Sequence, residues 1–359
     1  MSNTALSILD KFRTMGTQTI DVKKCVAEAK ETVMAYCQVP GEFEEFYSLQ
    51  KANDWTVAEI SCVQDADDYE KRLSPSEQVM VKCIVMFFLL GDMVVVSNIR
   101  KNLMRIFSHR EDIIKFLTLQ ESVEYIHMDT YMKIAKSIFT SNMSLLMSML
   151  SEAVDTYVSV SAKIFYGHYW LSKEDADPID VVLTAICNEG IFFFTQFKII
   201  SAIRGEGTRM SGLDDANSFI RVDESIHRDA GVKMLITLIQ EKAAETGTPF
   251  MEEYEKYEPR FIEIVKDAVE IEILSIKDIF KGATETNISE ESMIVEAKCC
   301  ANDIAEIMRY KKIYPVERPT TDFTTLELLV KSKANIWERD TKSYVKPNDN
   351  SQVDWDNVF

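Results

Sequence analysis

A chain of 359 residues, 46% of them hydrophobic, can bury a large core; with only 11 Gly and 8 Pro it favours one all-helical domain over two. A formal charge of −18 excludes a nucleic-acid-binding surface, which needs clustered Lys and Arg, and fits a soluble acidic protein. The start shows no secretory leader, and the seven Cys are scattered without a Cys-x-x-Cys pair, so a disulfide framework or zinc ribbon is not expected and a reducing, cytoplasmic setting is.

Residues 1–40 hold a moderately amphipathic helix around Asp21–Cys37, ended by Pro40-Gly41, with no assignable chemistry. Residues 43–60 are aromatic and acidic and contain Trp55, whose plainest role is packing at the edge of a core. Ser74-Pro75-Ser76-Glu77 spells a helix start, with a capping Ser, Pro at the first helical position and Glu at the third. That helix runs through Cys83 to Val96, and Asp92 is the only charge in the run. The next helix carries Glu121 to Tyr131. Glu124 and His127, three apart, share its face, and Tyr131 lies one turn further on.

Residues 132–175 continue as Met-rich and aromatic helices, expected in the core. Asp177-Pro178 starts another helix, whose Val181–Phe194 run again holds a single acid, Glu189. Residues 179–201 are about long enough to span a membrane, but Glu189 at the middle and Lys198 near the end favour a helix buried in a soluble bundle. A Gly-containing loop, Gly205 to Gly212, leads to a second Glu-x-x-His, Glu224 and His227. Two more long helices are expected, one entered at Pro259 and one near Ser289. Pro315 and Pro319 close the compact part. Roughly the last 25 residues are polar and turn-rich and are expected to form a mobile tail with an apolar tip ending in Trp355 and Phe359.

Asp92 and Glu189 pose the chemical question. An unpaired buried carboxylate costs several kcal/mol, and Lys and Arg are scarce in both runs, so metal is the economical neutraliser. The chain has four His, and two of them follow a Glu by three residues. Ferritin-like dimetal bundles use two such Glu-x-x-His helices plus one carboxylate from each of two others. Asp92, Glu124 and His127 would hold one ion, and Glu189, Glu224 and His227 the other, some carboxylates bridging. Glu121, one turn before Glu124, competes as a ligand. Taken singly, each residue also reads as a satisfied core His, a capping Glu or a protonated Asp. Oxygen-rich shells without thiolate suit iron or manganese. Tyr131 beside such a site could be a bystander, a hydrogen-bond donor or a one-electron donor. Phe193, Phe197 and Ile220 would make its surroundings dry if they enclose it.

Several segments together resemble the small (radical-generating, beta) subunit of class I ribonucleotide reductase. They are Trp55-Thr56 with Glu59, Phe87-Phe88 to Asp92, Glu124-x-x-His127-x-x-x-Tyr131, Glu189-Gly190-Ile191-Phe192-Phe193, Asp223-Glu224-x-x-His227, and Asn335-Ile336-Trp337-Glu338-Arg339 with Tyr344. The resemblance covers about residues 45–359. It implies an all-α, ferritin-like bundle with a buried dimetal-carboxylate site, dinuclear iron or manganese with two ions per protomer, and a homodimer. It implies further that dioxygen at the reduced site oxidises Tyr131 to a stable radical. The oxidising equivalent would then pass through positions matching His127, Asp223, Trp55 and Tyr344 to a separate large subunit that reduces ribonucleotides. The tail, about residues 351–359, would dock that subunit. The implied division is an extension (1–40), a radical-generating domain (41–320) and a C-terminal segment (321–359). Three features depart from the family. The Asp92–Glu124 connection is one residue longer, Val222 precedes Asp223 where many relatives carry Arg, and the tail after Tyr344 is short. Another dimetal oxidase, such as a desaturase or ligand-binding oxidase, should lack the Trp55, Asp223 and Tyr344 combination, and a ferritin-type iron-handling protein should be much shorter.

Overall fold

The computed structural model describes residues 22–38, 41–172, 176–205, 209–283 and 288–318. Among these there are helices and no strand. In sequence order they are α1 (Val22–Gln38), α2 (Glu44–Ala52), a single 3-10 turn (Val57–Glu59), α3 (Asp65–Lys71), α4 (Pro75–Ile106) and α5 (Glu111–Ile138). Then follow α6 (Met143–Thr156), α7 (Val158–Ser172), α8 (Pro178–Arg204), α9 (Ser211–Thr246), α10 (Phe250–Phe280) and α11 (Glu290–Ile307). Helix α4 packs on α5, and α8 on α9, with α10 and α7 against them. The result is an all-α bundle around one continuous apolar core.

The local sequence sets where the central helices begin. Ser74 Oγ accepts from the Glu77 amide at 3.3 Å while Glu77 Oε2 accepts from the Ser74 amide at 2.8 Å, the reciprocal cap read from the sequence. Asp177 accepts from the Ile179 amide at 3.0 Å, with Pro178 at the first helical position of α8. Helix α9 is anchored differently: the Asp65 carboxylate of α3 accepts from the Gly212 and Leu213 amides at 3.0 and 2.8 Å, and Asp68 accepts from Met210 at 2.9 Å. Anionic oxygens here meet the unpaired amides and positive end of the longest helix. A Cβ on Gly212 would run into the backbone carbonyl oxygen of Ser61, so only glycine lets α9 start this close.

Helices α4 and α8 are each long and apolar enough to cross a membrane, but 78% and 89% of their apolar stretches lie buried in the bundle. Each contains a π-helical turn, Ile99–Leu103 in α4 and Asn188–Phe192 in α8. Such a turn inserts an extra residue and re-aims the side chains that follow.

Two expectations need correction. Pro259 does not open a helix; it lies inside α10, which starts at Phe250. The bond it forgoes falls on the exposed side, where the Glu255 carbonyl can turn to water. Residues 132–175 are not core throughout: Met143, Leu145, Met147, Val158, Phe165 and Tyr169 are exposed, Phe165 by 68%. Apolar periodicity shows that a face is covered, not by what.

Candidate metal centre

Four helices aim six side chains at one place. Asp92 comes from α4, Glu124 and His127 from α5, Glu189 from the π-turn of α8, and Glu224 and His227 from α9. None is more than 3% exposed. Donor atoms of Asp92, Glu124, His127 and Glu224 lie within 4.8 Å of one another, and so do those of Glu124, Glu189, Glu224 and His227. There are thus two half-sites sharing Glu124 and Glu224. Glu121 stands elsewhere, paired with Arg100 on the outer side of α5.

The donors of the two half-sites crowd together. His127 Nδ1 lies 3.3 Å from a Glu124 oxygen and 3.2 Å from a Glu224 oxygen, and His227 Nδ1 lies 2.9 and 3.3 Å from the same two carboxylates. Yet both oxygens of Asp92, both of Glu124, Oε2 of Glu189, Oε1 of Glu224 and Nδ1 of His127 make no hydrogen bond. Glu189 Oε1 accepts from the amide of Gln120 at 3.2 Å. Orphaned buried polar atoms are costly unless something satisfies them. Glu272, equally buried on α10, differs in having a cation beside it: Lys163 Nζ lies 2.6 Å from its Oε2, and Thr195 donates to its other oxygen. Among the described residues no lysine or arginine plays that part at the six-residue cluster. Four carboxylates and two imidazoles without thiolate fit two divalent ions of the iron or manganese type.

Without ions the cluster must share protons. Burial pushes the Asp92 carboxyl well up. Burial, and then the charges of Glu224 and Glu124, do the same to Glu189. Burial also opposes the charged forms of Glu224 and the imidazoles but is outweighed. Glu189, His127 and His227 hold Glu224 below the usual carboxylate range. Asp223, Glu124 and Glu224 raise His127, and chiefly Glu124 pushes His227 up to about 9.

The phenol of Tyr131 is completely buried. The Phe88 ring packs on it at 4.6 Å between centroids, and Phe193 and Phe197 pack on Phe88 at 5.6 and 5.4 Å. Its hydroxyl donates to Asn217 Oδ1 at 3.0 Å. Asp223 lies on the other side of His127. Its Oδ2 is 3.1 Å from His127 Nε2 and accepts from Trp55 Nε1 at 2.8 Å. Its Oδ1 accepts from Gln50 of α2 and from Asn53, just past the end of that helix, at 2.5 and 2.6 Å. Trp55 lies nearly parallel to the His127 ring, 6.0 Å away and 16° off plane. Val222, beside Asp223, is 37% exposed. Tyr344 and residues 351–359 lie outside the described residues.

Sequence reasoning assigned nothing to Asn217, Gln50, Asn53 or Gln120. Spacing held a clue for the first: Asn217, Ile220 and Glu224 fall at i, i+3 and i+7, one face of α9. A small cavity lies against the second half-site, lined by Asn98, Gln120, Asn188, Glu189, His227 and Met234. Residues of both π-turns border it.

A bundle whose central helices project paired Glu-x-x-His motifs and two further carboxylates inward is of the ferritin-like, carboxylate-rich class. Within it, the chain belongs to the ribonucleotide reductase small-chain family, whose model matches residues 38–321. This is an oxidoreductase family. The protein is 26% identical over 328 residues to a ribonucleoside-diphosphate reductase small chain of Arabidopsis thaliana, an alignment that takes in 90% of this sequence and 92% of that one. It is 26% identical over 322 residues to the small chain of Variola virus, taking in 88% and 92%. In fold it is similar to the ribonucleotide reductase R2 subunit from Clostridium botulinum, with a TM-score of 0.66 at 17% identity over 80% of this sequence and 87% of that one. An R2-like ligand-binding oxidase solved with a Mn/Fe cofactor gives 0.61 at 15% identity over 77% and 94%.

Proposed function

We propose that the protein is the radical-generating small subunit of a ribonucleoside-diphosphate reductase. Asp92, Glu124, His127, Glu189, Glu224 and His227 hold two iron ions, or manganese in their place. Tyr131 carries the radical that a large subunit uses to reduce ribonucleotides to deoxyribonucleotides. The observation that carries this reading is the set of orphaned carboxylate oxygens around two half-sites, on the same helices as a wholly buried phenol.

When bound and met by dioxygen, the dimetal centre supplies the oxidising equivalent. The residues of the protein do the rest. Glu124 and Glu224, common to both half-sites, would hold both ions. Phe88, backed by Phe193 and Phe197, keeps water from the Tyr131 ring and so protects a phenoxyl from quenching. Asp223 fixes the orientation of His127 through Nε2, as a carboxylate behind a ligating imidazole does. The same carboxylate ties Trp55 to that imidazole, giving a hydrogen-bonded line out of the site toward α2. By the resemblance, the line continues through Tyr344 to the large subunit, docked by residues 351–359. The exposed apolar side chains of α6 and α7 supply a surface for a second copy, giving the homodimer.

The test loads metal-free protein with ferrous ion under air and records its electron paramagnetic resonance spectrum. An organic radical in the wild type that disappears in Tyr131→Phe is expected; no radical in the wild type overturns the reading.

A further inference from the structure

Among the described residues the Tyr131 hydroxyl has one hydrogen-bond partner, Asn217. Phe88 packs on the ring, and Ile220 is fully buried one turn along α9 from Asn217. Asn217 itself is 2% exposed, and its Oδ1 is the partner of the phenol hydroxyl. Its Nδ2, buried as well, has no hydrogen-bond partner. Leaving a buried amide donor unused is costly, so an apolar side chain would be the cheaper filler. The face shared by Asn217 and Glu224 brings this amide into the surroundings of the metal cluster.

We infer that Asn217 is the positioning residue of the Tyr131 phenol, accepting from its hydroxyl in the reduced state and donating an N–H to its oxygen in the oxidised state. This rests on the function proposed above for the second state only. In the first, the hydroxyl is the donor and Oδ1 the acceptor. Oxidation removes one electron and the hydroxyl proton from the phenol, both passing to the dioxygen-oxidised dimetal centre. The oxygen left behind has nothing to donate and two lone pairs to satisfy. The amide carbonyl then has no donor facing it, while the unpartnered Nδ2 hydrogens belong to the same planar group. Turning the amide about its last side-chain bond, a broad and soft torsion, exchanges acceptor for donor. One side chain thus serves both oxidation states without a proton of its own being gained or lost.

Two measurements on the full-length protein test this, with Asn217→Leu as an isosteric variant lacking both groups and Asn217→Ala as a smaller one. In metal-free protein, difference infrared spectra with ring-labelled tyrosine, referenced to Tyr131→Phe, isolate the C–O stretch of Tyr131. Both variants should shift this band to the position of a phenol that donates no hydrogen bond; a band unmoved by either variant overturns the inference. In metal-loaded protein, high-field electron paramagnetic resonance and deuteron couplings in heavy water report on the radical. The wild type should show an exchangeable deuteron coupled to the phenoxyl oxygen, and Asn217→Leu should lose that coupling and raise the largest g-value. A radical whose couplings are the same in wild type and Asn217→Leu overturns the donor half. A wild type without any radical, yet with the band shift, sinks the proposed function and leaves the reduced-state hydrogen bond standing.

Discussion

At the scale of single residues, the centre is a set of groups that cannot all be charged without ions. His227, with an ordinary value of 6.5 pushed up to about 9, holds a proton at neutral pH that a metal must displace. The raised carboxyls of Asp92 and Glu189 act in the same direction. Metal loading near pH 7 should therefore release protons, seen as a calorimetric heat that changes with the ionisation enthalpy of the buffer; a heat independent of buffer would contradict it. Stability of the metal-free protein follows from the same shifts. A folded-state value above the unfolded one contributes stability that is complete below 6.5 and lost as the pH rises through about 9. The melting temperature of metal-free protein should thus fall across that window, and loading should abolish the fall. Trp55 gives a separate prediction. Trp55→Phe removes the N–H that Asp223 accepts at 2.8 Å while leaving the six metal-facing side chains in place. Metal content and the radical should persist and nucleotide reduction with the large subunit should stop; unimpaired turnover would take Trp55 out of the relay.

At the scale of elements, what the sequence makes legible is what short-range chemistry decides. The starts of α4 and α8 follow from Ser74-Pro75-Ser76-Glu77 and Asp177-Pro178, and the lone acids in two apolar helices mark inward-facing charges because burying them costs so much. The π-turns are invisible in periodicity, since an inserted residue shifts the phase by an amount that a few side chains cannot reveal. The turn at Asn188–Phe192 carries Glu189 itself, so the aim of that side chain was beyond the pattern. Hydrogen bonds across 86 and 173 residues, Tyr131 to Asn217 and Gln50 to Asp223, leave no local trace either. The anchoring of α9 is likewise non-local and has a measurable weight. Asp65→Ala leaves the Gly212 and Leu213 amides buried without partners, which should cost about 1–3 kcal/mol in denaturant unfolding. Gly212→Ala forces a Cβ against the Ser61 carbonyl, a backbone atom that cannot step aside, and should cost at least about as much. Since α9 bears Asn217, Asp223, Glu224 and His227, both variants should also weaken metal retention. An unchanged midpoint in either would show that α9 is held by its packing alone.

At the scale of the whole molecule, the apolar residues divide between a core that a single protomer closes and a face that it leaves open. Tyr131, Phe88 and Phe193 sit in the first, at most 1% exposed. Phe165 and Tyr169 of α7, whose rings lie 6.0 Å apart, and Met143, Leu145 and Met147 of α6 belong to the second. Single exposed apolar residues are ordinary, but six on two consecutive, mutually packed helices, Val158 of α7 being the sixth, have the character of an interface. Water contact there is a standing cost that a second copy would remove. A net charge of −18 works against association through any surface dominated by carboxylates, which favours the apolar face over the rest of the exterior. Phe165→Glu places a charge where the side chain is already 68% exposed, so the fold of the single protomer should tolerate it. In the assembled dimer the same charge would be buried without a partner, at several kcal/mol for each copy. Sedimentation of the wild type should show a dimer, and the variant should sediment as a monomer with an unchanged melting temperature at low concentration. A variant that remains dimeric would move the interface to another face of the bundle.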